Sequence, residues 1–522
     1  MAKNTILWVD DEIDLLKIQI LFLEQRGYEV ITASNGADAI DMVKDNIYDI
    51  IFLDENMPGL SGLDTLKAIK GLRPDIPVVM VTKDEGEKVM DEAVGYKVSD
   101  YLIKPVSPLQ ILSSIKRNIE NKMLISKMTA EEYQSEFQKL GAEIAQVEDI
   151  NGWQSLYKKL VDWDLKLQDI DEDKAALSEI FLYQKNEACS AFCKYIEKNY
   201  EKWINGPRDR RPLMQMDVFK ERILPLIDNG QKVFWIVIDN LRYDQWKAIQ
   251  PAIAEYRAVE KEEMLCSILP TATQYARNAM FSGLTPLMIH DLYPTLWTDE
   301  DELHSKNNHE AELIQTMLKR FRCNIKFSYT KTVTNREGQK ITDNIQNISD
   351  NPLNIAVYNF VDMISHSKTE SMMMRELVDN ENSYRAITKT WFEHSSLFTL
   401  IKSLSKQDIK VILTTDHGNV RVDNPIKVTG EKEITSNVRY KIGKDLDYNK
   451  KEVFAVSNPK IAQLPAQSLS TRYIFARDKD FMAYPNNFNH YAKYYRDTFQ
   501  HGGISMEEML IPLVTLKPKM KE

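Results

Sequence analysis

The sequence predicts a multidomain α/β protein in which two α/β domains flank a helical segment. Three observations predict it. Short β-rich runs alternate with helical stretches from Thr5 to about Glu120, the alternation stops between Asn121 and Trp203, and it resumes after the Arg, Pro and Gly-rich break Asn205–Pro212. A length of 522 residues accommodates this plan. The expected domains are residues 1–120, 121–205 and 206–522.

Apolar residues make up 43% and charged residues 28%, the balance of a chain that buries sizeable cores, so bulk disorder is excluded. The 77 acidic residues outnumber the 67 basic ones, for a net charge of −10, which argues against non-specific coating of DNA. Four cysteines cannot form a disulfide framework in so long a chain, and a cytoplasmic location is expected. The opening MAKNTILWVDDEIDLL lacks a signal-peptide core, and no run approaches the roughly 18 apolar residues of a membrane segment.

In the first domain the runs ILWV, YEVITA, DIIFL, IPVVMVT and DYLI predict a five-stranded, parallel, doubly wound sheet. Strand C-termini converge in such a sheet, so Asp10, Asp11, Asp54, Thr82 and Lys104 should meet in one crevice. Clustered carboxylates repel and call for a hard divalent cation, and Mg²⁺ with one or two carboxylates is the usual solution. Asp54 is then the natural phosphoryl acceptor, Lys104 offsets the developing charge, and the Thr82 hydroxyl donates to a phosphoryl oxygen. This segment resembles the receiver domain of two-component response regulators, through Asp10-Asp11-Glu12, Asp54 with Met57-Pro58-Gly59 and Gly62, Thr82, and Asp100 to Pro105. The resemblance implies that the Asn56 carbonyl joins the Mg²⁺ shell, that Lys104-Pro105 is cis, and that Tyr101 switches rotamer. It also implies a sensor histidine kinase as partner and a phosphorylation-favoured homodimer. At one position the sequence departs from the family: Lys83 follows Thr82 where a small residue is usual.

From Asn121 to Trp203 Gly and Pro are scarce, and Trp153, Leu156, Tyr157 and Leu160 recur at helical spacing, predicting a linker bundle of three or four helices. Cys189 and Cys193 lie four apart there and read as core residues. In the last domain VFWIVID, LNIAVYNFVD, KVILTTDHG and LIPLVTL read as buried strands, and His304 to Asp350 as an irregular insertion or cap. Asp239 ends the first of these strands, Asp362 precedes His366 by four, Asp416-His417-Gly418 closes a third, and His501-Gly502-Gly503 stands before the last. Three Asp and three His supply ligands for two divalent ions, and the mixture favours Zn²⁺ or Mn²⁺ over Ca²⁺. Thr273 and Thr271, in Pro270-Thr271-Ala272-Thr273, precede a helical stretch that places a hydroxyl for attack on phosphorus. Arg242 and Arg277 are candidate phosphate ligands, although an ion pair or the helix surface is the more common role of such an arginine. His290, His304, His309, His394 and His490 have no evident partners in the sequence.

The order Asp, Thr, Asp with His four later, Asp-His and His resembles the alkaline phosphatase superfamily, especially its PglZ branch, over Val233 to Thr515. That resemblance implies Asp239, Thr273, Asp416 and His417 around one zinc, Asp362, His366 and His501 around the other, and an alkaline-phosphatase-like α/β fold. A receiver, a helical linker and a PglZ-like domain together resemble the response regulators tied to type IX secretion, with ILWVDDEIDLLK and QHGGISMEEMLIPLV in support. The expectation is therefore a phosphorylation-controlled zinc phosphodiesterase acting on nucleotides or short oligonucleotides, with a possible extracytoplasmic-function sigma factor as partner. The alternative is a non-catalytic, phosphorylation-switched docking platform for that factor. A direct DNA-binding regulator is disfavoured, because no basic recognition helix is present.

Overall fold

The computed structural model describes residues 4–83, 98–115, 118, 121–168, 175–298, 307–430 and 437–519. His304 lies outside the described residues. The chain divides into two compact units, Met1–Ser135 with Asp169–Asp171, and Glu136–Gln168 with Glu172–Glu522.

In the first unit β1 (Thr5–Val9), β2 (Glu29–Ala33), β3 (Ile50–Asp54), β4 (Val78–Thr82) and β5 (Asp100–Ile103) form a parallel sheet in the order β2-β1-β3-β4-β5. Successive strand residues point to opposite faces, so Leu7, Val9, Ile51, Leu53, Val78 and Met80 enter one core layer while Ile6, Trp8, Phe52, Val79 and Val81 enter the other. That is why these strands read as unbroken apolar runs. Helices α1 (Lys17–Glu24), α2 (Gly36–Asp45), α3 (Gly62–Leu72) and α4 (Pro108–Ile115) connect or follow these strands. Two of them start at side-chain caps, with Asn35 accepting from the Asp38 amide and Ser61 from the Asp64 amide.

Among the described residues the linker holds three helices, α5 (Asn121–Gln146), α6 (Ile150–Leu167) and α7 (Ala175–Asn205). On α6 the predicted stripe Trp153, Leu156, Tyr157 and Leu160 is buried, and Trp153 meets Phe192 of α7 edge-on at 5.5 Å. Linker residues Glu136–Gln168 and 175–205 belong to the second unit, with Tyr157 against Tyr243 at 6.0 Å. Cys189 and Cys193 are buried in this packing.

The second unit is built on a six-stranded sheet of β6 (Lys232–Ile238), β7 (Arg257–Cys266), β8 (Phe327–Thr332), β9 (Leu353–Tyr358), β10 (Ile409–Thr414) and β11 (Leu510–Pro518), in the order β7-β11-β10-β6-β9-β8. Strands β10, β6, β9 and β8 are parallel, whereas β11 is antiparallel to β10 and to β7. An antiparallel strand begins where its neighbours end. The segment before β11, with His501, therefore lies at the edge where β6, β9, β10 and β7 deliver Asp239, Asp362, Asp416 and Thr273. The expected irregular cap from His304 to Asp350 is corrected here. Its described part holds a helix at Glu310–Arg320, a second at Asn335–Asp343, and β8, an edge strand of the main sheet. Among the described residues no helix is long and apolar enough to cross a membrane.

Candidate active site

The first unit gathers Asp10, Asp11 and Asp54 so that one ligand oxygen from each lies within 4.8 Å of the others. Lys104 Nζ sits 2.8 Å from Asp10 Oδ2 and 2.9 Å from Asp54 Oδ2, across a cis Lys104-Pro105 bond. Burial pushes the Asp54 carboxyl above its ordinary range, and the Lys104 hydrogen bond only partly offsets it. Asp54 Oδ1 is buried without a hydrogen-bond partner. An orphaned carboxylate oxygen beside two more acids fits a hard cation. Thr82 ends β4 and is fully buried. Gly62 is required here, because a Cβ on it would lie 2.3 Å from the Asp54 carbonyl oxygen. The Lys83 that departs from the usual pattern pairs with Glu12 at 2.8 Å on the surface.

In the second unit Asp239, Asp416 and His417 form one group of ligand atoms within 4.8 Å, and Asp362, His366 and His501 a second. Asp362 lies in the first turn of a helix at Phe360–Glu370, so His366 at i+4 shares its face, with Nε2 3.4 Å from Asp362 Oδ1. Pairing of Val420–Arg421 with Phe499–Gln500 holds the His417 loop beside His501, and the two imidazoles stack at 4.3 Å. His417 Nδ1 donates to the Gly418 carbonyl and His501 Nδ1 to the Thr271 carbonyl, both at 3.1 Å. Both rings therefore present an unprotonated Nε2 to the site, the orientation of a metal-ligating histidine. Burial depresses both imidazoles, His501 to about 4, and keeps them neutral.

Thr273 begins the helix Thr273–Ser282, labelled α8 here, and its Oγ1 lies 3.1 Å from His417 Nε2 and 3.4 Å from Asp239 Oδ1. Burial raises the Asp239 carboxyl to about 7, against the pull of Arg277 and with added repulsion from Asp416 and Asp362. Asp416 Oδ2 is buried without a hydrogen-bond partner. Asp239 and Asp416 thus share the Arg277 guanidinium, and the donor set of Asp and neutral His suits Zn²⁺ or a similar divalent ion.

The structure gives the partners of three further candidates. Thr271 is fully buried with its hydroxyl committed, donating to the Gly503 carbonyl and accepting from the Gly502 amide, both at 2.9 Å, so it clamps the loop before Thr273. Arg242 does not offer itself to phosphate, because its fully buried guanidinium is held by Asp244 and Glu381. Arg277 lies in the site as a counter-charge, with Nη1 2.6 Å from Asp239 Oδ2 and Nε on Glu310.

A family model for the BREX system PglZ alkaline phosphatase-like domain matches residues 218–516, more than half of the chain. The chain belongs to the PglZ alkaline phosphatase-like family. Ahead of the PglZ domain, a response regulator receiver domain matches residues 6–116 and a PorX response regulator linker domain matches 123–204, which gives the PorX-like architecture. The relatives align over about a quarter of the chain. The transcriptional regulatory protein ZraR of Escherichia coli O157:H7 is 32% identical over 136 residues, 26% of this chain and 31% of the relative. The phosphate regulon transcriptional regulatory protein PhoB of Pseudomonas aeruginosa is 36% identical over 120 residues, 22% of this chain and 52% of the relative. The chain thus spans between about a third and half of these relatives' length. Among solved structures, chemotaxis protein CheY4 of Vibrio cholerae is 28% identical, covering 22% of this chain and 99% of that one, with a TM-score of 0.22.

Several residues that build the PglZ site were missed in the sequence. Asn240, at φ +64°, donates its side-chain amide to Asp362 Oδ1 at 3.1 Å and its backbone N–H to Asp416 Oδ1 at 3.3 Å, so it ties the two ligand groups together. An Asn directly after a strand-ending Asp was the available signal, since Asn tolerates left-handed backbone. Glu310 and Glu508 carried no local signal. Glu508 accepts from the Gly503 amide and the Ser505 hydroxyl and pairs with Arg439, which fixes the His501 loop.

Proposed function

We propose that this protein is a response regulator whose phosphorylation at Asp54 controls a zinc-dependent phosphodiesterase acting on nucleotides or short oligonucleotides. The observation that carries the reading is the Thr273 hydroxyl, set at a helix N-terminus beside Asp239 and His417, with a second triad of ligand type alongside. In this reading Asp239, Asp416 and His417 hold one zinc and Asp362, His366 and His501 the other, while Asp10, Asp11, Asp54 and the Asn56 carbonyl hold Mg²⁺. Two such cations would supply positive charge for a developing phosphorane and ease loss of the threonine proton. Thr273 Oγ1 gives its proton to solvent and attacks phosphorus, one ester oxygen leaves as an alcohol with a proton from solvent, and the remaining phosphoryl ester is held on Thr273 as a diester until water attacks its phosphorus, releasing the phosphomonoester and restoring the hydroxyl. The first-turn amides of α8 face the added negative charge. Arg277 neutralises Asp239 and keeps its carboxylate oriented.

A receiver domain implies a kinase that phosphorylates it, and the architecture supports control of type IX secretion genes, with a sigma factor and a phosphorylated homodimer as further partners. The test is hydrolysis of a chromogenic phosphodiester by the zinc-loaded chain. Turnover lost on chelation, restored by zinc and abolished in Asp239→Ala supports the reading. A fully metal-loaded protein with no turnover on diesters, nucleotides or short oligonucleotides sinks it in favour of a docking platform.

A further inference from the structure

The linker helix α7 reaches the loops that carry the proposed chemistry. Tyr200 Oη accepts the Leu269 amide N–H at 2.8 Å, four residues before Thr273. Cys193 Sγ donates to the Ile504 carbonyl at 3.3 Å, three residues after His501. Lys185 Nζ lies 3.2 Å from Glu507 Oε1 and 3.2 Å from Asp164 Oδ2 of α6. Glu507 abuts the third loop, because a Cβ on Gly418 would lie 2.0 Å from the Glu507 carbonyl oxygen and the Gly418 amide donates to the Glu508 carbonyl at 3.1 Å. Asp164 also meets Arg385 at 3.4 Å, and Arg385 meets Asp244 at 3.0 Å, the carboxylate that grips Arg242 behind Asp239.

These side chains are almost wholly enclosed: Tyr200 is 1%, Cys193 2% and Lys185 7% exposed. Burial lowers the Lys185 ammonium's affinity for its proton, but Asp164 and Glu507 more than reverse this, so the charge is held. A buried polar group left unpaired is expensive, so each contact fixes the loop it touches in one position. A bundle serving only as a spacer would need apolar packing alone.

We infer that α7 is part of the active site's supporting frame, with Tyr200, Cys193 and Lys185 as positioning residues for the nucleophile loop, the His501 loop and the Asp416-His417 loop. This rests on the phosphodiesterase reading and adds its regulation: the linker stands in the chain between receiver and PglZ domain, so a shift of α7 changes turnover itself. Tyr200→Phe removes one acceptor with little change of shape. In the full-length, zinc-loaded protein it should lower kcat about three- to tenfold, the size of one lost hydrogen bond, with KM and zinc content unchanged. The Leu269 amide should exchange with deuterium faster than in the wild type. Lys185→Met should also lower kcat, and Lys185→Arg should recover it. An active wild type with unchanged kcat in both Tyr200→Phe and Lys185→Met, or a change confined to KM, overturns the positioning role alone. A wild type without turnover overturns the phosphodiesterase reading and this role with it.

Discussion

Replacing Thr273 and Thr271 in turn by valine separates the proposed nucleophile from its neighbour, because the same change of shape removes hydroxyls with different partners. The Thr271 hydroxyl joins the Gly502 amide and the Gly503 carbonyl, both at 2.9 Å in a fully buried setting. At about 1–3 kcal/mol for each of the two groups left unsatisfied, Thr271→Val should cost about 2–6 kcal/mol of stability. The Thr273 hydroxyl makes two longer contacts, 3.1 and 3.4 Å, at a half-buried position. Its loss should therefore cost no more than about 1 kcal/mol. Turnover should follow the reverse order: Thr273→Val should fall by at least about a thousandfold, roughly 4 kcal/mol of barrier. The assay pairs urea unfolding with hydrolysis of a chromogenic phosphodiester in excess zinc. Turnover of Thr273→Val above about a tenth of wild type, with Thr271→Val inactive yet fully stable, would refute the assignment.

In the receiver, Asp54→Asn should abolish the added phosphate mass when the protein is incubated with a small-molecule phosphodonor and Mg²⁺, and Lys104→Ala should slow its appearance. Phosphate on Asp54→Asn at the wild-type rate would place the acceptor elsewhere. Asp478 gives a pH signature, since burial pushes its carboxyl up to about 6 despite a hydrogen bond from Cys189. A carboxyl raised on folding contributes stability that is complete below its unfolded pKa and lost as pH rises through the folded value. Asp478→Asn removes that loss, so its Tm relative to wild type should climb between pH 5 and pH 7.5, and a falling difference contradicts this.

Much of the fold was legible because strands buried on both faces leave long β-branched runs, as in IIFLD and VFWIVI. Strand β7, RAVEKEEMLC, escaped notice because it lies at the sheet's edge, where Lys and Glu stand in water. Strand β8, FSYTKT, is half-buried at the opposite edge and lacks the apolar run for the same reason. The ligand-type side chains were legible from their places at strand ends, which topology forces together. Their supports were not: Tyr200 meets Leu269, Lys185 meets Glu507 and Arg277 meets Glu310 across long stretches of chain, and nothing in the local pattern of either partner announces the other. For Arg242 and Arg277 the sequence favoured an ion pair over a phosphate contact, and the ion pairs are present, but their carboxylate partners were not legible, since a guanidinium near a strand end looks the same whether it awaits phosphate or holds a carboxylate.

The most direct measurement is anomalous diffraction at the zinc absorption edge from crystals of the zinc-loaded full-length chain. The account predicts two peaks, one among Asp239, Asp416 and His417 and one among Asp362, His366 and His501, with Thr273 Oγ1 beside the first. Zinc found only on the protein surface, with both triads empty at saturating metal, would contradict it.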